Sequence, residues 1–229
     1  MTDVNYVVAG SRPWSREVFQ QVIRRYPGRW HLVTRAEQLT WSRIKRLSPR
    51  YLFVLHWSWK VPQPIVEQYE CVGFHMTDLP YGRGGSPLQH LILRGHRRTH
   101  LTAFQLGPAF DAGPVYLKQP VSLDGSAQDI YERISHVAAR MVRRIIQHRL
   151  IPVPQRGRAV VFRRRRPQES RIPRLTTAAR LHDFIRMLDA EGYPRAFLDH
   201  EGFRYEFSRA SQSNGRLVAR VRITPVERG

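Results

Sequence analysis

Gly73-Phe-His-Met-Thr-Asp-Leu-Pro80, continued by Tyr81-Gly-Arg-Gly-Gly-Ser-Pro-Leu-Gln89, is the stretch on which the fold turns. Cys71, Val72 and Phe74 make a short apolar run that brings His75 to the end of a strand. Pro80 stops that strand, and Gly82, Gly84 and Gly85 let the backbone pass close to whatever sits there. Ser86-Pro87 pairs a capping residue with proline at the first helical position, which opens a helix. Strand, reactive side chain, glycine loop and helix start are how open α/β sheets build sites at the carboxyl ends of their strands.

The flanking sequence repeats that alternation. Upstream, strands are expected at Asn5–Ala9, Trp30–Val33 and Tyr51–Leu55, the last an unbroken apolar run suited to a central parallel strand covered on both faces. Helices fill the gaps: one through Val18, Phe19, Val22 and Ile23, and one opening at the capping-box spacing Thr34-Arg-Ala-Glu37. Downstream, strands at His100–Leu106 and Val115–Lys118 precede the longest helix, Asp129 to about His148, capped by Ser126. The pattern predicts an α/β fold with a doubly wound, mainly parallel sheet over residues 1–152. Residues 153–175, with Arg163-Arg-Arg-Arg166 and several prolines, are expected to form an exposed basic linker. Residues 176–229 are expected to form a small β-rich subdomain of one helix and three strands, the last two joined by a hairpin at Ser213-Asn-Gly215.

Composition narrows the function classes. The 229 residues are 41% hydrophobic, yet no run of about 18 apolar residues could span a membrane, and the start lacks the pattern of a secretory signal. A single cysteine, Cys71, excludes an internal disulfide, fits a reducing cytoplasm and lies where a buried structural thiol is expected. The formal net charge of +20 suits a polyanionic partner: nucleic acid, a nucleotide, a phosphorylated sugar or a polyglutamylated cofactor. Lysine occurs only at 45, 60 and 118, so arginine carries the excess, and an arginine-favouring genome would produce the same number.

Three loops are expected to meet at the carboxyl edge of the sheet: His56–Val61, His75–Ser86 and Gly107–Pro114. They offer His75, Thr77, Asp78, Arg83 and Asp111. No Cys/His/carboxylate set has metal-ligand spacing, so no metal is expected. A phosphate-binding Gly-x-x-x-x-Gly-Lys-Ser/Thr loop and a Gly-x-Ser-x-Gly nucleophile elbow are both absent from the sequence.

Phe74-His-Met-Thr-Asp-Leu-Pro-Tyr-Gly-Arg-Gly-Gly-Ser-Pro-Leu-Gln89, followed by Phe110-Asp-Ala-Gly-Pro-Val115, resembles the formyltransferase family that uses 10-formyltetrahydrofolate. That family includes methionyl-tRNA, glycinamide ribonucleotide and sugar-nucleotide N-formyltransferases. The resemblance covers roughly residues 50 to 150 and extends more loosely into the C-terminal region. It implies attack of a substrate amine on a formyl carbon, through a tetrahedral intermediate whose oxyanion needs stabilising. By the same match, His75 and Asp111 are the catalytic pair, the histidine stabilising charge or carrying a proton and the aspartate orienting it. The backbone of Ser58, Trp59, Lys60 and Val61 would bind the pterin, with Gly107, Phe110 and Gly113 in the loop that closes over it.

One position departs from the family pattern: Gly73 stands where the family has an asparagine, two residues before the histidine. Losing an oxyanion donor of that kind costs on the order of 2.7–4 kcal/mol in other enzymes. Thr77, Gln89 or a backbone amide are the expected substitutes, and Arg83 is a further candidate for substrate contact. The short C-terminal region is expected to be too small for the fuller barrel of methionyl-tRNA formyltransferases. The favoured acceptor is therefore a small anionic amine, a nucleotide-linked amino sugar, in a protein that could dimerise through that region as sugar enzymes of the family do. Formylation of aminoacyl-tRNA is the alternative the charge prompts, and a non-catalytic folate- or nucleotide-binding protein is the one Gly73 prompts.

Overall fold

A computed structural model describes residues 4–226. In chain order the elements are β1 (Asn5–Ala9), α1 (Pro13–Gln21), β2 (Arg29–Val33), α2 (Trp41–Leu47), β3 (Tyr51–Val54), α3 (Gln63–Gln68), β4 (Cys71–His75), β5 (Tyr81–Gly84) and α4 (Pro87–Leu93). They continue with β6 (Arg98–Gln105), β7 (Val115–Ser122), α5 (Ala127–His148), β8 (Val160–Phe162), α6 (Ala178–Arg186), β9 (Ala196–His200), β10 (Phe203–Ser213) and β11 (Arg216–Pro225).

Six strands form one sheet in the order β2-β1-β3-β4-β6-β7. β1 pairs in parallel with β2 on one side and β3 on the other, and β3 pairs in parallel with β4. The sheet is thus mainly parallel, as the alternating pattern predicts. Val7, Val8, Ala9, Leu52, Phe53, Cys71 and Val72 are fully buried, which is why β1, β3 and β4 read as unbroken apolar runs rather than alternating ones. The Cys71 thiol donates to Ile65 O at 3.7 Å, and burial pushes its pKa up to about 12, so it is an inert core thiol.

β6 runs antiparallel to β4, with Gln105 opposite Val72 and Thr102 opposite His75. The loop after β6 therefore starts at the level of Cys71, whose carbonyl accepts from Leu106 N at 2.8 Å. It does not start at the carboxyl edge, as an all-parallel reading would have it. The order reverses around β1, so the loops leaving β1 and β3 flank the switch point that α/β sheets use for ligands.

The chain packs as two compact units that interleave along the sequence. The first runs to Gly84 and then takes Thr99–Val121 and Tyr131–Val161; the second takes Gly85–Arg98, Ser122–Ile130 and the chain from Phe162 onward. Within the second, β9, β10 and β11 form an antiparallel sheet whose β10–β11 turn has Asn214 and Gly215 at φ of 50° and 73°, the two positive values a primed turn demands.

Two local expectations are corrected. The helix read from Thr34 starts at Trp41, because Thr34 closes onto Gln38 Oε1 around a single 3₁₀ turn and Thr40 supplies the cap, accepting from Arg43 N at 3.3 Å. Ser86 has a φ of 51° and does not cap α4; its hydroxyl accepts from Arg165 N at 3.0 Å. The arginine run is exposed at Arg163, Arg164 and Arg166, and it is tied down locally. Arg163 holds Glu169 through both guanidinium nitrogens, Arg165 lies 5.9 Å over the Phe184 ring, and a side chain at Gly85 would meet Arg164 Cα at 2.5 Å.

Candidate active site

β4 delivers His75 into the interior at 8% exposure. Its Nε2 lies 2.7 Å from Gly82 O. A carbonyl can only accept, so Nε2 carries a proton, an assignment that follows from the partner. Nδ1 faces Asp111 Oδ2 at 3.6 Å. Asp111 adopts a φ of 50°, a conformation uncommon for residues other than glycine, and its Oδ2 accepts from Gly84 N at 2.9 Å. β5 thus contributes two main-chain groups: Gly82 O holds the histidine ring, and Gly84 N holds the aspartate. A neutral imidazole with its free nitrogen toward a carboxylate can accept a proton, and the carboxylate stabilises the resulting imidazolium.

The other expected residues fare differently. Thr77 is buried, with its hydroxyl 3.4 Å from the same Gly82 carbonyl and its own carbonyl accepting from Thr102 at 2.6 Å. Arg83 donates from Nε and Nη2 to Gln155 Oε1 at 3.2 and 2.7 Å. Gln89 belongs to the second unit, where it is buried and donates to Met187 O at 3.0 Å. A Cβ at Gly73 would lie 2.7 Å from Leu106 Cδ2 and 2.9 Å from Phe104 Cε1, so apolar side chains take the space an asparagine would use. The Thr77 hydroxyl and the Gln89 amide thus each meet a main-chain carbonyl.

The loop after β3 is tied to the loop after β1. Ser11 Oγ donates to His56 O at 2.9 Å and lies 3.0 Å from Ser58 Oγ, which must then be the donor in that second bond. His56 has a φ of 48° and packs edge-on against Trp14 and Tyr131, each at 5.7 Å. Burial first and Arg12 second pull its pKa down to about 3, so the ring is neutral. Trp59 meets Trp57 in a T-shaped contact and stays 47% exposed; Lys60 is exposed and Val61 half-buried. In the loop after β6, Phe110 is 70% exposed. Gly113 is obligatory, since a Cβ there would sit 1.8 Å from Gln105 O, whereas no atom lies within 4 Å of a Cβ at Gly107.

The residue that sequence reading missed is Gln155. Its Nε2 donates to Asp111 O and Gly113 O at 2.8 and 2.9 Å, across separations of 44 and 42 residues, so no local pattern marks it. Among the described residues, no group of three or more His, Cys, Asp and Glu could hold a metal, and no helix is long and apolar enough to cross a membrane.

Compared with known proteins, the chain is 38% identical to a methionyl-tRNA formyltransferase from Clostridium thermocellum of solved structure, covering 97% of this chain and all of that one with a TM-score of 0.95. The chain belongs to the formyltransferase family. The family's model for the methionyl-tRNA formyltransferase C-terminal domain matches residues 167–224. A methionyl-tRNA formyltransferase of Acidothermus cellulolyticus is 30% identical over 68% of this chain and 51% of its own length. The chain spans about half the length of the first curated relatives it matches. HypX from Aquifex aeolicus, solved in complex with tetrahydrofolic acid, shares the fold at 14% identity, with a TM-score of 0.75 over 94% of this chain and 40% of that one.

Proposed function

We propose that the protein is an N-formyltransferase that moves a formyl group from 10-formyltetrahydrofolate to a primary amine, with His75 and Asp111 as its catalytic residues. The observation that carries this reading is the His75 geometry: Nε2 committed to Gly82 O and Nδ1 facing Asp111 Oδ2 at 3.6 Å. When bound, 10-formyltetrahydrofolate supplies the formyl carbon and a leaving nitrogen. His75 Nδ1 takes the proton that the attacking amine must lose, and Asp111 stabilises the imidazolium. The same proton can then pass to the departing nitrogen, so the histidine ends neutral and ready for another turnover. The backbone from Ser58 to Val61, stiffened by the Ser11–Ser58 contact, is the surface for the pterin, with the exposed rings of Trp59 and Phe110 available to cover it.

The acceptor we propose is an aminoacyl-tRNA. Three observations favour it over the amino sugar expected from the sequence: the 38% identical relative of the same extent, the match of residues 167–224 to the methionyl-tRNA formyltransferase C-terminal domain, and the net charge of +20. The case for a sugar acceptor rested on the size of the C-terminal region, and that region now has a counterpart in the tRNA enzymes. Incubation with 10-formyltetrahydrofolate and either methionyl-tRNA or a panel of nucleotide-linked amino sugars tests both parts. Tetrahydrofolate release is expected with methionyl-tRNA, slowed by roughly 10²–10⁴-fold in His75→Ala and weakened steeply by salt. Release with a sugar alone would overturn the acceptor, and release with none would overturn the activity.

A further inference from the structure

The segment after α5 is pinned at two places within the first unit. Val115 N donates to Val153 O at 2.7 Å and Val153 N to Val115 O at 2.9 Å, while Val160 N donates to Pro80 O at 3.2 Å. Gln155 lies between these anchors, half-buried in a stretch that is otherwise largely exposed. A glutamine side chain offers two N–H donors and two lone pairs on its carbonyl oxygen, and here every one is used. Both donors go to the Asp111 loop, at Asp111 O and Gly113 O; both lone pairs take Arg83, through Nε and Nη2.

Those partners belong to the two halves of the proposed catalytic pair. Arg83 lies between Gly82, whose carbonyl fixes His75, and Gly84, whose amide fixes the Asp111 carboxylate. Asp111 and Gly113 are the other half, and Asp111 holds a left-handed conformation at a φ of 50°. We infer that Gln155 is a positioning residue that clamps the Asp111 loop to β5 and thereby sets the separation of Asp111 from His75. The inference rests on the formyltransferase reading for its effect on rate, but not for its effect on the loop.

Two variants separate the possible roles. Gln155→Ala removes the clamp. Gln155→Glu keeps the length and the Arg83 partner but sets a carboxylate against two carbonyls, so a residue that only anchored Arg83 would tolerate it. Both variants are expected to lower kcat roughly 100-fold, the scale of loss from about 1 Å of misplacement, with tetrahydrofolate affinity, read by fluorescence titration, little changed. The readout independent of turnover is amide exchange at Gly84, expected to quicken at least about tenfold in both variants as its carboxylate acceptor loosens, while β1 and β3 amides keep their rates. If Gln155→Glu retains wild-type kcat, or if Gly84 exchanges at the wild-type rate in both variants, the clamp is wrong. If the wild type transfers no formyl group to any acceptor, the functional reading fails, and Gly84 exchange still decides the placement of Asp111.

Discussion

The polar residues around β5 and those of the β10–β11 hairpin make opposite use of similar side chains. Around β5, His75, Thr77, Arg83, Asp111 and Gln155 are buried or half-buried, and each bonds a main-chain or side-chain group of another segment. In the hairpin, Arg216, Arg220 and Arg222 are exposed on β11, and the bulge between Ser208 and Ser211 leaves Arg209 exposed at a φ of 50°. Buried polar groups must be satisfied by defined partners, so their arrangement is fixed and one substitution is felt; exposed charges interact mainly with water and salt. Charge density thus says little about where chemistry happens here. The proposed site lies where side chains are committed to backbone.

The largest expected effect is at the first region. His75→Ala should lower kcat by roughly 10²–10⁴-fold, the range for losing a positioned acid–base group, in a rapid-quench transfer assay. Next is acid sensitivity from His56. Its folded pKa of about 3 lies below the ordinary 6.5, so the unfolded chain binds its proton first. This residue costs no stability above pH 6.5 and makes the fold progressively less stable as pH falls from 6.5 toward 3, by up to about 1.4 kcal/mol per pH unit. Urea unfolding at a series of pH values should show that slope, and His56→Asn, which tolerates the left-handed backbone, should flatten it. Smaller again is Gly73→Asn, which restores the family residue yet forces a side chain onto Leu106 and Phe104. It should destabilise by about 1–3 kcal/mol in thermal unfolding, without raising kcat. The smallest effect belongs to the arginine run: Arg163→Ala removes an arginine that is 69% exposed and should leave both turnover and the unfolding midpoint unchanged. A large loss of turnover there would show that exposed charges also serve the chemistry.

Much of the framework was legible because it depends on local signals. Tyr51–Val54 is apolar throughout because both faces are covered, Ser126 and Asp129 carry a reciprocal cap at the start of α5, and Asn214-Gly215 demands its turn. The pairing of His75 with Asp111, 3.6 Å apart, was expected through the resemblance their motifs carry. What escaped depends on chain crossings that no local pattern encodes. Gln155 lies in a stretch that reads as linker, and its partners are up to 72 residues away. The antiparallel turn of β6 sets Phe104 opposite Gly73, and that register, not the motif, closes the space for an asparagine. Ser86 has the composition of a cap, but its hydroxyl serves Arg165 instead.

The measurement that bears most directly on the central claim is single-turnover transfer of labelled formyl from 10-formyltetrahydrofolate to methionyl-tRNA by the wild type and by Asp111→Asn. The asparagine keeps an oxygen for Gly84 N but removes the charge that stabilises a protonated His75. A shared role in proton transfer predicts a rate at least about 100-fold lower with folate affinity retained. Equal rates for the two proteins would contradict it.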